Sequence, residues 1–242
     1  MVSIQMSAAS RRRWYEPPPV HALRRRWHVA RLRRTGRRLA FIAGCARSGT
    51  SLLKQLMAAF DDTAVCPREQ TIWHFLEMAD RQETALVVKR TAECHRELHR
   101  LPADVDLIYC VRHPYDCLTS SHPQTLHLRP FHVTRERWFA EREALARLRH
   151  EQPQRPITVV RYEDLVTRPD DVQATIAAAV GLLPQQTFSR NRLGIEIRSA
   201  SLEKWRRRPD FRGYLAGLDA GWQAEVGRFC AEFGYGPPES LR

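Results

Sequence analysis

A short apolar run at 39–43 leads straight into Gly44-Cys45-Ala46-Arg47-Ser48-Gly49-Thr50-Ser51, and an apolar stretch of helical length follows. A strand, a tight loop with glycines five residues apart and a helix opening at its end have the layout of a P-loop. In that layout backbone N–H groups converge and the helix N-terminus adds positive potential, so an oxyanion is held without a cage of side chains. Glycine at 49 lets the backbone come close. The lysine that nucleotide-triphosphate loops place after the second glycine is missing, because Thr50 stands there; Arg47 offers a cation from inside the loop instead.

The rest of the chain fits that start. Runs at 39–43, 86–88, 107–111 and 157–160 are short, apolar or β-branched and bounded by polar or Gly/Pro residues, as buried parallel strands are. Segments at 51–60, 69–81, 93–100, 133–149 and 169–180 have helical length and mixed polarity. The alternation predicts a three-layer α/β/α fold with a central parallel sheet and right-handed crossovers. At 242 residues and 43% hydrophobic content, one domain at 39–242 preceded by an arm at 1–38 is expected.

Charge sorts the two parts. Residues 1–38 hold eleven arginines and one acid, Glu16, so most of the formal +12 sits in the arm and the body is close to neutral. A small polyanion site suits such a body better than a broad nucleic-acid surface. The arm reads as a solvated extension, partly disordered or helical. The alternative is peripheral contact with acidic lipid or a polyanion, anchored by Trp14 and Trp27. No stretch nears the ~20 apolar residues of a membrane span and no signal peptide is evident, so a cytoplasmic, soluble protein is expected, with that peripheral contact left open. Six cysteines without a CxxC pair suggest reduced thiols. Cys94, His95 and His99 lack a further ligand at metal spacing.

A second element is Asp106-Leu107-Ile108-Tyr109-Cys110-Val111-Arg112-His113-Pro114, where an arginine ends an apolar strand and Ser120 follows eight residues later. Arg112 would leave the sheet at the same carboxyl edge as the loop and offer a planar fork to a phosphate. The alternative is an ion pair with Asp116. A third is Arg161-Tyr162-Glu163-Asp164-Leu165, and a fourth is Lys204-Trp205. The chain has three lysines only, Lys54, Lys89 and Lys204, in an arginine-rich background, which singles them out.

Together, and in this order, the four motifs resemble those of sulfotransferases that use 3′-phosphoadenylyl sulfate (PAPS). Arg47-Ser48-Gly49-Thr50-Ser51 is similar to the family's 5′-phosphosulfate loop, with Ala46 where a proline is usual. The Arg112/Ser120 segment is similar to the 3′-phosphate segment, with His113 where an acid or asparagine is common. The resemblance implies sulfuryl transfer from PAPS to a hydroxyl acceptor (carbohydrate, lipid-linked sugar, phenol or tyrosine), leaving adenosine 3′,5′-bisphosphate and requiring no metal. It implies donor contacts from Arg47, Ser48, Gly49, Thr50, Ser51, Arg112, Ser120, Tyr162 and Lys204, although Tyr162 can equally be a packing residue. Lys89 would meet the transferring group. Glu69 is the favoured general base, tuned by burial near the loop, with His95, read as a helix-surface residue, as the other contender. Glu163 and Asp164 are expected to orient Arg161 or cap a helix, and Trp73, His74 and Phe75 to line an acceptor pocket or the core. Two other readings stay open: a P-loop kinase using ATP–Mg²⁺, and a basic RNA- or membrane-binding protein on a degenerate nucleotide fold. No specific nucleic acid is expected as partner, and the oligomeric state is left open.

Overall fold

The computed structural model describes residues 27, 30, 36–72, 85–91, 94–123, 125–207 and 209–236. Most of the basic arm, the aromatic trio Trp73, His74 and Phe75, and most of the helix expected at 69–81 lie outside the described residues.

Five strands, β1 (Leu39–Gly44), β2 (Thr63–Val65), β3 (Ala85–Lys89), β4 (Asp106–Val111) and β5 (Ile157–Arg161), form one parallel sheet in the order β2-β3-β1-β4-β5. Strand side chains alternate between faces, and here both faces are covered. Leu39, Phe41, Leu107 and Tyr109 enter one core, while Ala40, Ile42, Ile108 and Cys110 enter the other. The second core holds α1 (Thr50–Leu56) and α5 (Pro169–Val180). The first holds α3 (Arg135–Glu151) and α8 (Ala220–Glu232). The three-layer α/β/α expectation therefore holds.

The topology decides where a ligand can sit. From β1 the chain moves outward to β2, and from β4 it moves the opposite way to β5, so the crevice between β1 and β4 is the switch point of the sheet. Gly44 pairs with Cys110 at the carboxyl end of that crevice. The glycine is required there, since a Cβ would lie 2.3 Å from the Cys110 carbonyl oxygen.

Helix boundaries follow local chemistry. Thr134 caps α3, its side chain accepting from the Arg137 N–H at 3.2 Å. Pro169 opens α5 and Gly181, at φ 73°, ends it, with its N–H donating to the Ala177 carbonyl. Between β4 and α3 lies α2 (Pro114–Leu118), and α4 (Tyr162–Thr167) continues from β5. Near the C-terminus, α6 (Lys204–Arg207) and α7 (Pro209–Ala216) precede α8.

Three expectations need correction. Glu69 and Gln70 do not begin a helix: the Gln70 N–H donates to the Lys89 carbonyl at 2.9 Å, and Gln70 bridges to Arg90 in parallel, so the chain is extended there. The expected helix at 93–100 is a 3-10 segment, Cys94–Arg100. The expected helix at 51–60 ends at Leu56 and tightens into a 3-10 turn at Met57–Ala59. The edge strand β2 was not foreseen, because three residues carry no period.

Candidate functional site

The loop after β1 bends through Gly44 at φ 138°, Arg47 at φ 70° and Gly49 at φ 92°. Ser48 is buried, and its hydroxyl donates to the Cys45 carbonyl at 2.7 Å, bracing the turn from within. Thr50, also buried, opens α1, while Ser51 is exposed. A Cβ on Gly49 would lie 2.5 Å from Tyr162 Cδ2, so Tyr162 closes directly over the loop.

Tyr162 also links the loop to the neighbouring motif. The Arg112 guanidinium stands over its ring, 4.3 Å from the centroid, and its hydroxyl shares a 2.6 Å hydrogen bond with Ser201 Oγ. Arg112 donates to the Arg47 carbonyl at 3.1 Å and to the Ser201 carbonyl at 2.5 Å. Its contact with Asp116, the alternative weighed above, is a looser 3.8 Å. Arg112 is buried, and its Nε has no hydrogen-bond partner.

Lys204 arrives from the far end of the chain. Its Nζ donates to Ser120 Oγ at 2.5 Å, and Ser120 in turn donates to the Asp116 carbonyl at 2.6 Å. The buried Asp116 carboxylate accepts from the backbone N–H groups of Glu203 at 2.9 Å and Lys204 at 3.0 Å. Glu203 takes φ 50° at this anchor. Asp116 was seen in the sequence as a partner for Arg112 alone; its hold on residues 87 and 88 positions away was missed.

The electrostatics of the cluster ask for an anion. Burial, and then repulsion from Arg112, push Lys204 down to about 8. Desolvation and the same neighbour hold Arg47 below its usual range. Burial raises Asp116, against the lowering pull of Arg112 and the two backbone donors. Arg47, Arg112 and Lys204 repel one another, and each would gain from a bound polyanion.

On the other side of the loop, Lys89 ends β3 in register with Ile42 of β1 and is ion-paired with Glu69 Oε1. Lys54 Nζ donates to the Pro67 carbonyl at 2.8 Å, tying α1 to the segment that carries Glu69. The Glu69 side chain is 46% exposed, so the burial expected to tune it is absent. His95 is buried on its 3-10 segment and does not lie on a helix surface.

Further support comes from a pair the sequence reading did not identify. Arg90 donates to the Gly44 carbonyl and to Glu141 Oε1 at 2.6 Å, and both side chains are buried. Arg137 also reaches Glu141 at 2.9 Å. The only local signal was an acid in the middle of α3. Asp164 pairs with Arg161 at 3.8 Å as expected, but Glu163 does not: it accepts from the His113 N–H at 3.0 Å and from the Tyr235 hydroxyl at 2.8 Å. The His113 ring is stacked on Trp205 and, chiefly through burial and then the nearby arginines, is pushed down to about 4.

Among the described residues no group of three or more His, Cys, Asp or Glu is placed to hold a metal, and no helix is long and apolar enough to cross a membrane. Cys45, Cys66, Cys110, Cys117 and Cys230 are buried free thiols.

A loop, an arginine-ended strand and a lysine meet at the switch point of a doubly covered parallel sheet, which makes this an α/β protein with its candidate site at the carboxyl edge. Residues 89–185 match the model described as Sulfotransferase family. The sulfotransferase domain from the curacin biosynthetic pathway shares the fold, with TM-score 0.53 and 14% identity over 84% of this chain and 99% of that one. A mouse sulfotransferase, SULT7A1, complexed with PAP, gives TM-score 0.38 and 14% identity over 76% and 68% of the two chains. No curated protein sequence matches the chain. About two fifths of the chain thus match the sulfotransferase family, and the fold is shared with a sulfotransferase domain.

Proposed function

We propose that the protein transfers a sulfuryl group from PAPS to a hydroxyl of its acceptor, releasing adenosine 3′,5′-bisphosphate. The observation that carries this reading is that Arg112 donates to the Arg47 carbonyl and Lys204 to Ser120, with both arginines close enough to repel Lys204, beside a glycine-bracketed loop that lacks the nucleotide-kinase lysine. The orphaned Arg112 Nε and the turn at Gly49 suit a donor with phosphates at both ends. Ser48, Gly49, Thr50 and Ser51 with Arg47 would hold the 5′-phosphosulfate. Arg112, Ser120 and Lys204 would hold the 3′-phosphate, and Tyr162 would bound the nucleoside between them.

Sulfuryl transfer is analogous to phosphoryl transfer: the acceptor oxygen attacks in line while the 5′-phosphate leaves, and the protein contributes position and charge neutralisation. Arg47 and the loop N–H groups offset the charge gathering on the leaving phosphate. Glu69 takes the acceptor's proton, and Lys89, its ion-pair partner, would meet the transferring group. The acceptor hydroxyl belongs to a carbohydrate, lipid-linked sugar, phenol or tyrosine. No metal enters this scheme, and we place the reaction in the cytoplasm, where the five free thiols stay reduced.

Calorimetry of the purified chain with adenosine 3′,5′-bisphosphate, with ATP–Mg²⁺ and with RNA tests the reading. Tight binding of the bisphosphate alone is the expected result. Preference for ATP–Mg²⁺ or RNA would overturn it. Incubation with PAPS and host extract should yield a product heavier by one SO₃.

A further inference from the structure

Arg90, the residue after β3, and Glu141, in the middle of α3, form a buried ion pair that reaches the candidate site at the start of its loop. Arg90 Nε donates to the Gly44 carbonyl at 2.8 Å, and Nη2 donates both to that carbonyl and to Glu141 Oε1, the latter at 2.6 Å. Nη1 donates to the Thr91 carbonyl at 2.9 Å. Glu141 Oε1 is fixed in turn by Arg137, whose Nε and Nη2 donate to it at 3.1 and 2.9 Å. Stability alone does not call for such a pair. Taking two charges out of water often costs more than their attraction contributes, and apolar residues of similar size often serve as well.

The backbone of Arg90 ties down a second segment. Its N–H donates to the Ile42 carbonyl of β1 at 3.1 Å, and the residue bridges in parallel to Gln70. The Gln70 N–H donates to the Lys89 carbonyl at 2.9 Å and the Thr91 N–H to the Gln70 carbonyl at 3.0 Å, so the chain carrying Glu69 is hydrogen-bonded on both sides of Arg90. Side chain and main chain of one residue therefore meet two halves of the site: the loop that leaves β1 at Gly44, where φ is 138°, and the Glu69–Lys89 pair. We infer that Arg90 and Glu141 are positioning residues: Glu141 aims the Arg90 guanidinium at the Gly44 carbonyl, which holds the glycine-bracketed loop in place against Glu69 and Lys89.

The inference rests on the reading of the loop as the 5′-phosphosulfate site and of Glu69 as the base. In an in-line transfer the attacking oxygen, the sulfur and the leaving oxygen must line up, and these two halves hold the leaving group and the base. A shift of the loop relative to Glu69 therefore lowers the rate of transfer more than it lowers donor affinity. The 3′-phosphate is proposed to sit on Arg112, Ser120 and Lys204, which have their own anchors in Asp116 and Ser201.

The test compares the full wild-type chain with Arg90→Met, Glu141→Leu, the two combined, and Arg90→Lys. Each single apolar variant leaves a buried charge unpaired, so the combined variant, which removes both, carries the test. The rate of SO₃-bearing product formed from PAPS in host extract is measured against PAPS concentration, bisphosphate affinity by calorimetry, and amide hydrogen exchange on peptides covering 44–51, 66–72 and α8. In the combined variant kcat should fall at least ~tenfold with bisphosphate affinity nearly unchanged. Exchange should quicken at 44–51 and 66–72 but not in α8. Arg90→Lys keeps the charge without the fork that reaches Gly44 and Glu141 together, so its kcat should lie between those of the wild type and the combined variant. Wild-type kcat in the folded combined variant, a loss of kcat matched by an equal fall in bisphosphate affinity, or exchange that quickens in α8 as much as in the loop would each overturn the inference. Should the combined variant fail to fold, Glu141→Gln, which keeps an acceptor oxygen for Arg90, is read in the same way. A wild-type chain that binds no bisphosphate and forms no SO₃ product would count against the proposed donor. Exchange at 44–51 in the combined variant then decides the positioning role, and unchanged exchange there overturns it.

Discussion

The Arg112 guanidinium lies over the Tyr162 ring, 4.3 Å from its centroid, and Tyr162 closes over Gly49. Two motifs fifty residues apart thus share one contact, and the loop after β1 is held from outside by the residue that follows β5. The arginine that would grip one end of the donor also positions the ring that shapes the other end. Changes at any of the three residues should therefore be felt across the whole site.

Gly49→Ala places a Cβ 2.5 Å from Tyr162 Cδ2 at a residue whose φ is 92°. The backbone strain alone is about 1–3 kcal/mol. Affinity for adenosine 3′,5′-bisphosphate should fall at least ~tenfold, since ~1.4 kcal/mol is one decade. Adding Tyr162→Ala removes the clash but leaves the strain, so calorimetry of the double variant should show no full recovery.

Glu69→Gln removes the proposed proton acceptor while keeping the side chain's shape. Turnover should fall by about 100-fold or more, with bisphosphate affinity nearly unchanged. Lys89→Met should also lower kcat, because it removes the cation paired with Glu69 and held at the end of β3. A coupled kcat and KM measurement on both variants separates chemistry from binding, and an active Glu69→Gln enzyme would reject Glu69 as the base.

Asp116→Ala leaves the N–H groups of Glu203 and Lys204 without their buried acceptor. The expected loss of stability is about 1–3 kcal/mol. Bisphosphate affinity should drop with it, since Lys204 is no longer delivered to Ser120. Asp116→Asn keeps one acceptor oxygen and should lie between the wild type and the alanine variant in urea unfolding.

His113 provides a pH signature. Burial pushes it from the ordinary 6.5 to about 4, so between these values the unfolded chain binds a proton that the folded chain does not. Folded stability is therefore highest above pH 6.5 and declines as pH falls towards 4, by about 3 kcal/mol from this residue alone. Denaturant unfolding across that range should show a shallower decline for His113→Asn than for the wild type. Equal slopes would mean that His113 is protonated in the folded protein.

Much of the fold could be read locally. The runs at 39–43, 107–111 and 157–160 became β1, β4 and β5 because short apolar segments with turns at both ends have few other ways to be buried. The Pro169 and Gly181 boundaries of α5 are backbone rules written in single residues. Glu69 shows where such reading stops: a stretch with helical composition is extended because Gln70 finds the Lys89 carbonyl, a partner nineteen residues away. The same holds for Arg90 and Glu141, 51 residues apart, and for Glu163, which turned to Tyr235, 72 residues on.

By itself the sequence determined the glycine-bracketed loop after β1, the strand that ends in Arg112 and the kind of sheet that would bring them to one edge, because each depends on local periodicity and on the backbone freedom of glycine. Only the tertiary structure decided which cations meet, that Asp116 clamps the segment of Lys204, and that Tyr162 lies between Gly49 and Arg112. Those contacts join residues 50 to 113 positions apart, and a partner at such a distance is chosen by packing, which no local pattern specifies.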